Sequence, residues 1–148
     1  MITCEFENGS KANLRHVTVN TIIVKNNKIL LGRRSDAMLL EAGKWGLIGG
    51  FMERNETFEM TAKREALEET GWEIENLKLF KINDNPNRPA EDRQNVDIIF
   101  IAEAKEKVGT SDEEVSDLQW FSLEDLPPKE KIAFDHGDHL ELYKKMKK

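Results

Sequence analysis

Three glutamates, Glu65, Glu68 and Glu69, are spaced three and four residues apart within residues 49–73, GGFMERNETFEMTAKREALEETGWE. On a helix, this spacing places their carboxylates on adjoining turns of one face. Like charges at this spacing cost about 0.2–0.5 kcal/mol per pair, and the negative end of the helix dipole adds to the cost for Glu68 and Glu69. We infer that a divalent cation offsets this repulsion.

The ligand chemistry indicates magnesium, with manganese as the alternative ion. Carboxylate oxygens without a neighbouring Cys or His suit Mg²⁺ or Mn²⁺ better than zinc. Protein-bound Mg²⁺ usually takes phosphate oxygens of a substrate as further ligands, so the pattern predicts chemistry at a phosphate. The competing interpretation is a solvated acidic helix face. It leaves unexplained a fixed pattern that would arise by chance in roughly one chain per million. That pattern comprises Gly50, Glu56, Arg64, Glu65, Glu68, Glu69 and Gly71.

A helix over residues 57–70 is needed to position the glutamates. Thr57 is a suitable N-cap, and Gly71 suits the left-handed position that follows a helix. Apolar residues recur at helical spacing, which predicts that they face the core. These residues are Phe58, Ala62, Ala66 and Leu67.

The rest of the chain reads mainly as strands. Residues 26–27, Asn-Asn, predict a hairpin turn, and residues 138–147 predict a closing helix. Strands are predicted over residues 14–25, 28–33, 45–51, 72–82, 95–105 and 115–121. This order indicates an α+β fold with a mixed or antiparallel sheet.

Composition limits the classes of protein that fit. The length of 148 residues predicts one domain, 1–148. A net charge of −6 argues against a nucleic-acid binder, and no apolar stretch is long enough to span a membrane. One cysteine, Cys4, supports neither a disulfide nor a zinc site. The first ten residues are unlike a signal peptide, so a cytoplasmic protein is expected.

Residues 50–72 resemble the Nudix box, the signature of Nudix hydrolases, and every fixed letter of the box is present. Ala66 and Trp72 replace preferred aliphatic residues, and Arg54-Asn55 replaces the usual Pro-Gly. Three other segments are similar to the family: KILLGRRSD with GKWGLIGGF, VSDLQWFSLEDLP, and AFDHGDHLELYKK. The resemblance implies a Nudix α/β/α sandwich in which a mixed sheet lies between helices and the box forms a loop–helix–loop.

The resemblance also implies roles for the residues of the box. The carboxylates of Glu65, Glu68 and Glu69 and the carbonyl of Gly49 would bind Mg²⁺ or Mn²⁺. Glu56 would pair with Arg64 and keep the loop–helix–loop in shape, with Gly50 and Gly71 as further structural supports. Water would then attack a phosphorus atom of a diphosphate linkage.

The general base and the substrate contacts stay open at this point. The base is Glu65 or a glutamate of a later loop, Glu113 or Glu114, and the family pattern favours Glu114. An ordinary acidic loop explains the latter two equally well. Arg33 and Arg34 end a strand near the expected site and either contact phosphate or are solvated. Phe51 and Trp45 either stack on a base or belong to the core.

The expected substrate is a small nucleotide. Pro86, fifteen residues after Gly71, and the segment DNPNRPAEDR resemble ADP-ribose pyrophosphatases, which implies cleavage of ADP-ribose to AMP and ribose 5-phosphate. One alternative is a nucleoside triphosphate pyrophosphatase of the MutT type. Another is a Nudix domain that senses a nucleotide without turnover. Many family members dimerise, so a homodimer is also expected.

Overall fold

The structure is a computed structural model that describes residues 2–148. Within this range the chain forms two helices, nine strands and a 3₁₀ turn at Lys129–Lys131. The elements are β1 (Ile2–Glu5), β2 (Lys11–Leu14), β3 (Val17–Lys25), β4 (Lys28–Arg34), β5 (Trp45–Gly46), β6 (Ile48–Phe51), α1 (Phe58–Thr70), β7 (Trp72–Asn83), β8 (Val96–Lys107), β9 (Val115–Ser122) and α2 (His136–Lys147). Neither helix is long and apolar enough to cross a membrane in the part of the chain described.

Seven of the strands, β3 to β9, form one mixed sheet. Strand β3 lies at its centre and pairs with β4, β6 and β8. The β3–β8 pair is parallel, with Val17 opposite Val96, and the other pairs in the sheet are antiparallel. The turn between β3 and β4 has positive φ at both Asn26 and Asn27, which suits a two-residue hairpin. The predicted mixed sheet is therefore confirmed.

Helix α1 covers one face of this sheet and helix α2 covers the other. Neighbouring strand residues point to opposite sides, so each long strand contributes to both cores. The core beneath α1 contains Val19, Ile23, Leu30, Ile48, Ala62, Ala66, Ile74, Ile98, Phe100 and Ala102. The core beneath α2 contains Ile22, Ile29, Leu31, Leu47, Ile99, Phe121, Ile132, Leu140 and Tyr143. The expected α+β fold, a sheet between helices, is thus confirmed.

Helix α1 begins and ends as predicted, but its buried face differs from the prediction. The hydroxyl of Thr57 accepts a hydrogen bond from the backbone N–H of Met60, and Gly71 is left-handed at φ 72°. Phe58 and Leu67 are each 42% exposed, so their predicted place in the core is wrong. The buried residues are smaller and partly polar, because the helix lies close to the sheet and the loops of the box. They are Thr61, Ala62, Ala66, Glu69 and Thr70.

The predicted strand over residues 14–25 is divided in two. Residues up to Leu14 form the second strand of a separate β1–β2 hairpin, and β3 begins at Val17. Between them, Arg15 donates hydrogen bonds to the carbonyls of Gln94 (2.6 Å) and Asp84 (2.7 Å). The hairpin was not predicted, because its two strands are short and mostly polar.

Candidate active site

A cleft of about 580 Å³ opens beside the sheet where β6 and α1 meet. One end is acidic and contains the glutamates of α1. A second side is apolar and includes residues 37–40 and Phe134. The third side is formed by the arginine loop, which we define as residues 84–95, and by the first residues of β3. The cleft therefore offers separate environments for charged, apolar and polar parts of a ligand.

The turn from β6 into the box is shaped to bring backbone against α1. The backbone N–H of Gly49 donates a hydrogen bond of 2.9 Å to Oε2 of Glu69. A Cβ added at Gly50 would lie 2.6 Å from Oε1 of Glu65, so any side chain there would displace the Glu65 carboxylate. These contacts place two of the three glutamates directly against β6.

Arg64 links the loop of the box to the acidic face of α1. Its guanidinium donates to both carboxylate oxygens of Glu56, at 2.6 and 3.0 Å, and to the carbonyl of Phe51 at 3.0 Å. It also donates to Glu65 at 2.7 Å and to Glu68 at 3.1 Å. The hydrogen bonds from Arg64 lower the pKa of Glu56 to about 2. The ion pair implied by the box is therefore present, and it fixes the shape of the loop–helix–loop.

The charges of the Glu65 and Glu69 carboxylates are not fully balanced by neighbouring positive charge. Burial raises the pKa of Glu69 well above its usual range, and the carboxylates of Glu65, Asp112 and Glu114 add to the rise, although Gly49 N–H opposes it. Burial also raises the pKa of Glu65, although Arg64 opposes the shift. The acidic end therefore favours the binding of a cation.

The donor set suits a hard divalent cation, because it consists of carboxylate and carbonyl oxygens. Glu65 and Glu68 are bound to Arg64, and Glu69 is bound to the Gly49 N–H. In this conformation, no group of three Asp, Glu, His or Cys side chains within residues 2–148 is arranged to hold a metal. Arg64 occupies one oxygen each of Glu65 and Glu68, so metal binding would use their other oxygens and a rearrangement of these side chains.

The acidic loop, residues 108–114, lies along the end of α1. The backbone N–H of Asp112 donates to the carbonyl of Glu68 at 3.0 Å, and Gly109 N–H donates to the carbonyl of Gly71 at 3.1 Å. Glu113 and Glu114 are both exposed, but only Glu114 lines the cleft. Of the two candidate bases on this loop, the structure therefore brings only Glu114 to the glutamates of the box.

The two arginines at the end of β4 also separate. Arg34 lines the cleft, and its guanidinium lies 5.1 Å from the ring of Phe134. Arg33 is exposed, lies outside the cleft and donates to the carbonyl of Gly43 at 3.0 Å. A shift of register between Arg33 and Arg34 in the β4–β9 pair accompanies this separation. Of the two arginines, the structure therefore brings only Arg34 to the cleft.

The aromatic candidates occupy different environments. Trp45 packs against Phe121 in the second core, at 5.1 Å between ring centroids. Phe51 lines the cleft, but its ring is stacked with His16 at 4.2 Å and lies 5.2 Å from the guanidinium of Arg93. A base that stacked on Phe51 would have to share the ring with these side chains.

Comparison with known proteins decides the family. A sequence profile of the NUDIX domain matches residues 14–143, which is most of the chain. The chain belongs to the Nudix family. This Nudix chain is 33% identical over 131 residues to an ADP-ribose pyrophosphatase of Methanocaldococcus jannaschii, covering 88% of this chain and 74% of the relative.

Two further proteins show how broad the family likeness is. The Nudix chain is 36% identical over 104 residues to the NAD-capped RNA hydrolase NudC of Pasteurella multocida. That alignment covers 67% of this chain and 38% of the relative, so the chain spans less than half of NudC. The crystal structure of a MutT NUDIX hydrolase from Burkholderia pseudomallei superposes with a TM-score of 0.66 at 28% identity. It covers 86% of this chain and 97% of that one.

A buried polar network beneath the Nudix cleft was missed by the sequence analysis. Asp97 on β8 is fully buried and accepts hydrogen bonds from Asn20 (2.7 Å) and Thr18 (3.1 Å) of β3. Arg88 of the arginine loop lies 3.7 Å from Asp97 and binds both oxygens of Asp135, at 2.9–3.1 Å. The available signal was polar Thr18 and Asn20 within an otherwise apolar strand, but their partners lie far away in the sequence.

The charges of this network hold Asp135 ionised. Burial opposes ionisation, but the nearby His139 ring, 3.6 Å away, and the hydrogen bonds and charge of Arg88 hold the pKa of Asp135 well below its usual range. Asn83 Nδ2 also donates to Asp135, at 2.7 Å. The arginine loop is therefore fixed to the start of α2 through a buried ion pair.

The stability of the Nudix fold should depend on pH through His136. Its Nδ1 accepts a hydrogen bond of 3.0 Å from the backbone N–H of Leu47, and burial lowers its pKa to about 3. The unfolded chain, with an ordinary histidine pKa of about 6.5, binds the proton first. His136 therefore contributes stability that is present above pH 6.5 and declines as the pH falls towards 3.

We expect this contribution to fall by about 3 kcal/mol between pH 6.5 and pH 4. The measurement is urea unfolding at several pH values for the wild type and for His136→Gln, whose amide oxygen can still accept from Leu47. The difference between the two proteins isolates His136 from the carboxylates that titrate in the same range. Parallel stability curves over this range would contradict the prediction.

Proposed function

We propose that this protein hydrolyses the diphosphate linkage of ADP-ribose and releases AMP and ribose 5-phosphate. Family membership and the hydrolase names of the relatives support a diphosphate-cleaving enzyme. The observation that carries the proposal is the acidic end of the cleft, where the half-buried Glu65 and the buried Glu69 line the same cleft as Arg34 and Glu114. Clustered carboxylates would bind the metal of a metal–diphosphate complex, and the Arg34 guanidinium, whose Nε donates to the Leu40 carbonyl at 3.0 Å, keeps its other N–H groups for a phosphoryl oxygen.

Nudix hydrolases use divalent metal ions, and we propose Mg²⁺ for this protein, with Mn²⁺ as a substitute. Glu65, Glu68, Glu69 and the carbonyl of Gly49 would hold the metal. When bound, the metal would neutralise charge on the phosphoryl oxygens and make water a better nucleophile. Glu56 and Arg64 would keep the box in shape while the ligands exchange partners, and Gly50 and Gly71 would let the backbone pass closely.

The protein's other side chains would bind and orient the diphosphate. Arg34 projects from β4 into the cleft, so its guanidinium would bind a phosphoryl oxygen. Phe51 also lines the cleft and would border the substrate. The exposed Arg33 lies outside the cleft and takes no part in this proposal. The homodimer and the cytoplasmic location stay predictions.

Glu114 is our choice for the general base, although Glu65 stays an alternative. Glu114 lines both the cleft and a smaller recess that also contains Glu69, so a water there would be within its reach. We expect Glu114→Gln to lower kcat about 10²- to 10⁴-fold with little change in KM. Glu113→Gln is the matched control on the same loop and should keep wild-type kcat. Equal losses in both variants would contradict this role for Glu114.

The substrate is tested by hydrolysis with Mg²⁺ of ADP-ribose, NADH, a sugar nucleotide, a dinucleoside polyphosphate, dGTP and 8-oxo-dGTP. NADH is included because several relatives are NAD-capped RNA hydrolases. We expect the highest kcat/KM for ADP-ribose, with AMP and ribose 5-phosphate identified by chromatography. Preference for a triphosphate would replace this proposal by a MutT-type pyrophosphatase. Nucleotide binding without turnover of any compound would favour a sensing domain.

A further inference from the structure

We define the floor of the cleft as the buried polar network of Thr18, Asn20, Arg88, Asp97 and Asp135. Within it, the side chain of Asn20 is held in one orientation. Asn20 is only 7% exposed, and its position on β3 places it opposite Gly49 of β6. It lines the large cleft and also a recess of about 40 Å³ that contains Arg34, Glu69 and Glu114. Asn20 therefore lies at the acidic end of the cleft, next to the place proposed for the diphosphate.

The orientation of the Asn20 amide is set by a buried carboxylate. Its Nδ2 donates a hydrogen bond of 2.7 Å to Oδ1 of Asp97. If the amide were rotated by 180°, Oδ1 of Asn20 would face Oδ1 of Asp97, and two hydrogen-bond acceptors repel each other. Asp97 is itself fully buried and lies 3.7 Å from Arg88. The amide oxygen of Asn20 is therefore the end that remains for a ligand.

The position of this oxygen can be read from the neighbouring strand. A Cβ built on Gly49 would lie 2.8 Å from Oδ1 of Asn20, so the oxygen lies directly against the Gly49 backbone. The Gly49 N–H in turn donates to Glu69. Asn20 Oδ1 therefore lies beside Gly49, whose carbonyl is one proposed metal ligand and whose N–H binds another, Glu69.

Because Oδ1 of Asn20 is a hydrogen-bond acceptor, it forms hydrogen bonds only with groups that donate. A phosphate oxygen is itself an acceptor at neutral pH, so Asn20 Oδ1 offers it no hydrogen bond. The group joined directly to the diphosphate in a nucleoside diphosphate derivative is a pentose, whose hydroxyls are donors. The planar base has apolar faces, so the apolar side of the cleft, residues 37–40 and Phe134, suits it better than an amide oxygen does.

We propose that Asn20 is a specificity-determining residue, whose amide oxygen accepts a hydrogen bond from a ribose hydroxyl next to the cleaved diphosphate. This inference rests on the proposed function and deepens it. It predicts that the protein discriminates against substrates that lack the contacted hydroxyl. A buried polar group left without its partner makes such a site selective.

The test is a comparison of kcat/KM for three substrates with Mg²⁺. They are ADP-ribose, its 2′,3′-dideoxyadenosine analogue, and ADP esterified with tetrahydrofurfuryl alcohol in place of the terminal ribose. The two analogues distinguish the adenosine ribose from the terminal ribose. Asn20→Ser removes the amide oxygen and leaves a hydroxyl that can donate to Asp97. Asn13→Ser, at an exposed position in β2, is the matched control.

We expect Asn20→Ser to lower kcat/KM for ADP-ribose about 10- to 100-fold, which corresponds to one lost hydrogen bond and an unpaired group. The wild type should show a similar loss on one of the two analogues, and Asn20→Ser should lose nothing further on that analogue. Asn13→Ser should behave as the wild type throughout. An equal loss on all three substrates, or no loss with ADP-ribose, would overturn the proposal.

Two further measurements distinguish a wrong role for Asn20 from a misfolded variant and from a different substrate. Melting temperatures show whether Asn20→Ser is folded, and Asn20→Thr, which has a higher strand propensity, replaces it if it is not. If the wild type cleaves ATP and not ADP-ribose, the proposed function is wrong. The same comparison with ATP and 2′,3′-dideoxy-ATP then tests Asn20 independently.

Discussion

Glu69→Gln is expected to lower kcat/KM on the order of 10³-fold while raising the stability of the metal-free protein. Glu69 is 8% exposed, and burial raises the pKa of its carboxyl well above its usual range. Glutamine removes the buried charge but keeps an oxygen that can accept from the Gly49 N–H. The same substitution therefore removes a metal ligand and relieves repulsion from neighbouring carboxylates.

The two effects are measured separately. Hydrolysis of ADP-ribose with Mg²⁺ gives the loss of activity, and thermal unfolding in a chelating buffer gives the change in stability. Glu59→Gln is the control, because Glu59 lies on the same helix but is exposed and outside the cleft. A variant that keeps a tenth of wild-type activity would remove Glu69 from the proposed metal site. A lower melting temperature would show that Glu69 serves the fold instead.

Arg88→Met is expected to destabilise the protein by about 3–5 kcal/mol, which corresponds to a fall of about 10–20 °C in melting temperature. The Arg88 side chain is 3% exposed, and it carries the positive charge between Asp97 and Asp135. Methionine fills a similar volume but leaves two buried carboxylates without this partner. The cost is the unpaired charge rather than the lost contact.

A second substitution separates these two causes. Adding Asp135→Asn to Arg88→Met removes one of the stranded charges, so we expect the double variant to recover about half of the lost stability. Arg93→Met is the control from the same loop, where the side chain is 41% exposed, and should change stability by less than about 0.5 kcal/mol. Urea unfolding measures all four proteins. A double variant no more stable than Arg88→Met would contradict the explanation by charge.

The parts of the structure that depend on local sequence were predictable. Helix α1 carries its own N-cap at Thr57 and its own terminating glycine at Gly71, and both are used. The acidic end of the cleft comes mostly from that same continuous segment. Even so, Phe58 and Leu67 were misplaced, because helical spacing does not show how closely a helix approaches its sheet. Small and hydrogen-bonded residues took their place.

The floor of the cleft could not be predicted in this way. Asn20, Arg88, Asp97 and Asp135 come from four separate segments, and only the folded sheet brings them together. Each of them alone reads as an ordinary polar residue. The pair Arg33 and Arg34 was likewise undecided, because neighbouring strand residues point to opposite sides and the sequence does not show which side faces the cleft. Pro86, which supported the choice of substrate, is exposed and outside the cleft.

The parallel pairing of β3 with β8 has a consequence for how the chain folds. Residues joined across this pair are about 79 positions apart, as in the Thr18–Asp97 contact. Closing so long a loop costs entropy before β3 and β8 gain any stabilising contacts, so contacts of this kind slow folding. On the ribosome, the hairpin β3–β4 and helix α1 emerge well before β8. A nascent chain therefore carries the complete Nudix box while it still lacks Asp97 on β8 and Glu114 beyond it, so the cleft can form only after the later strands have emerged.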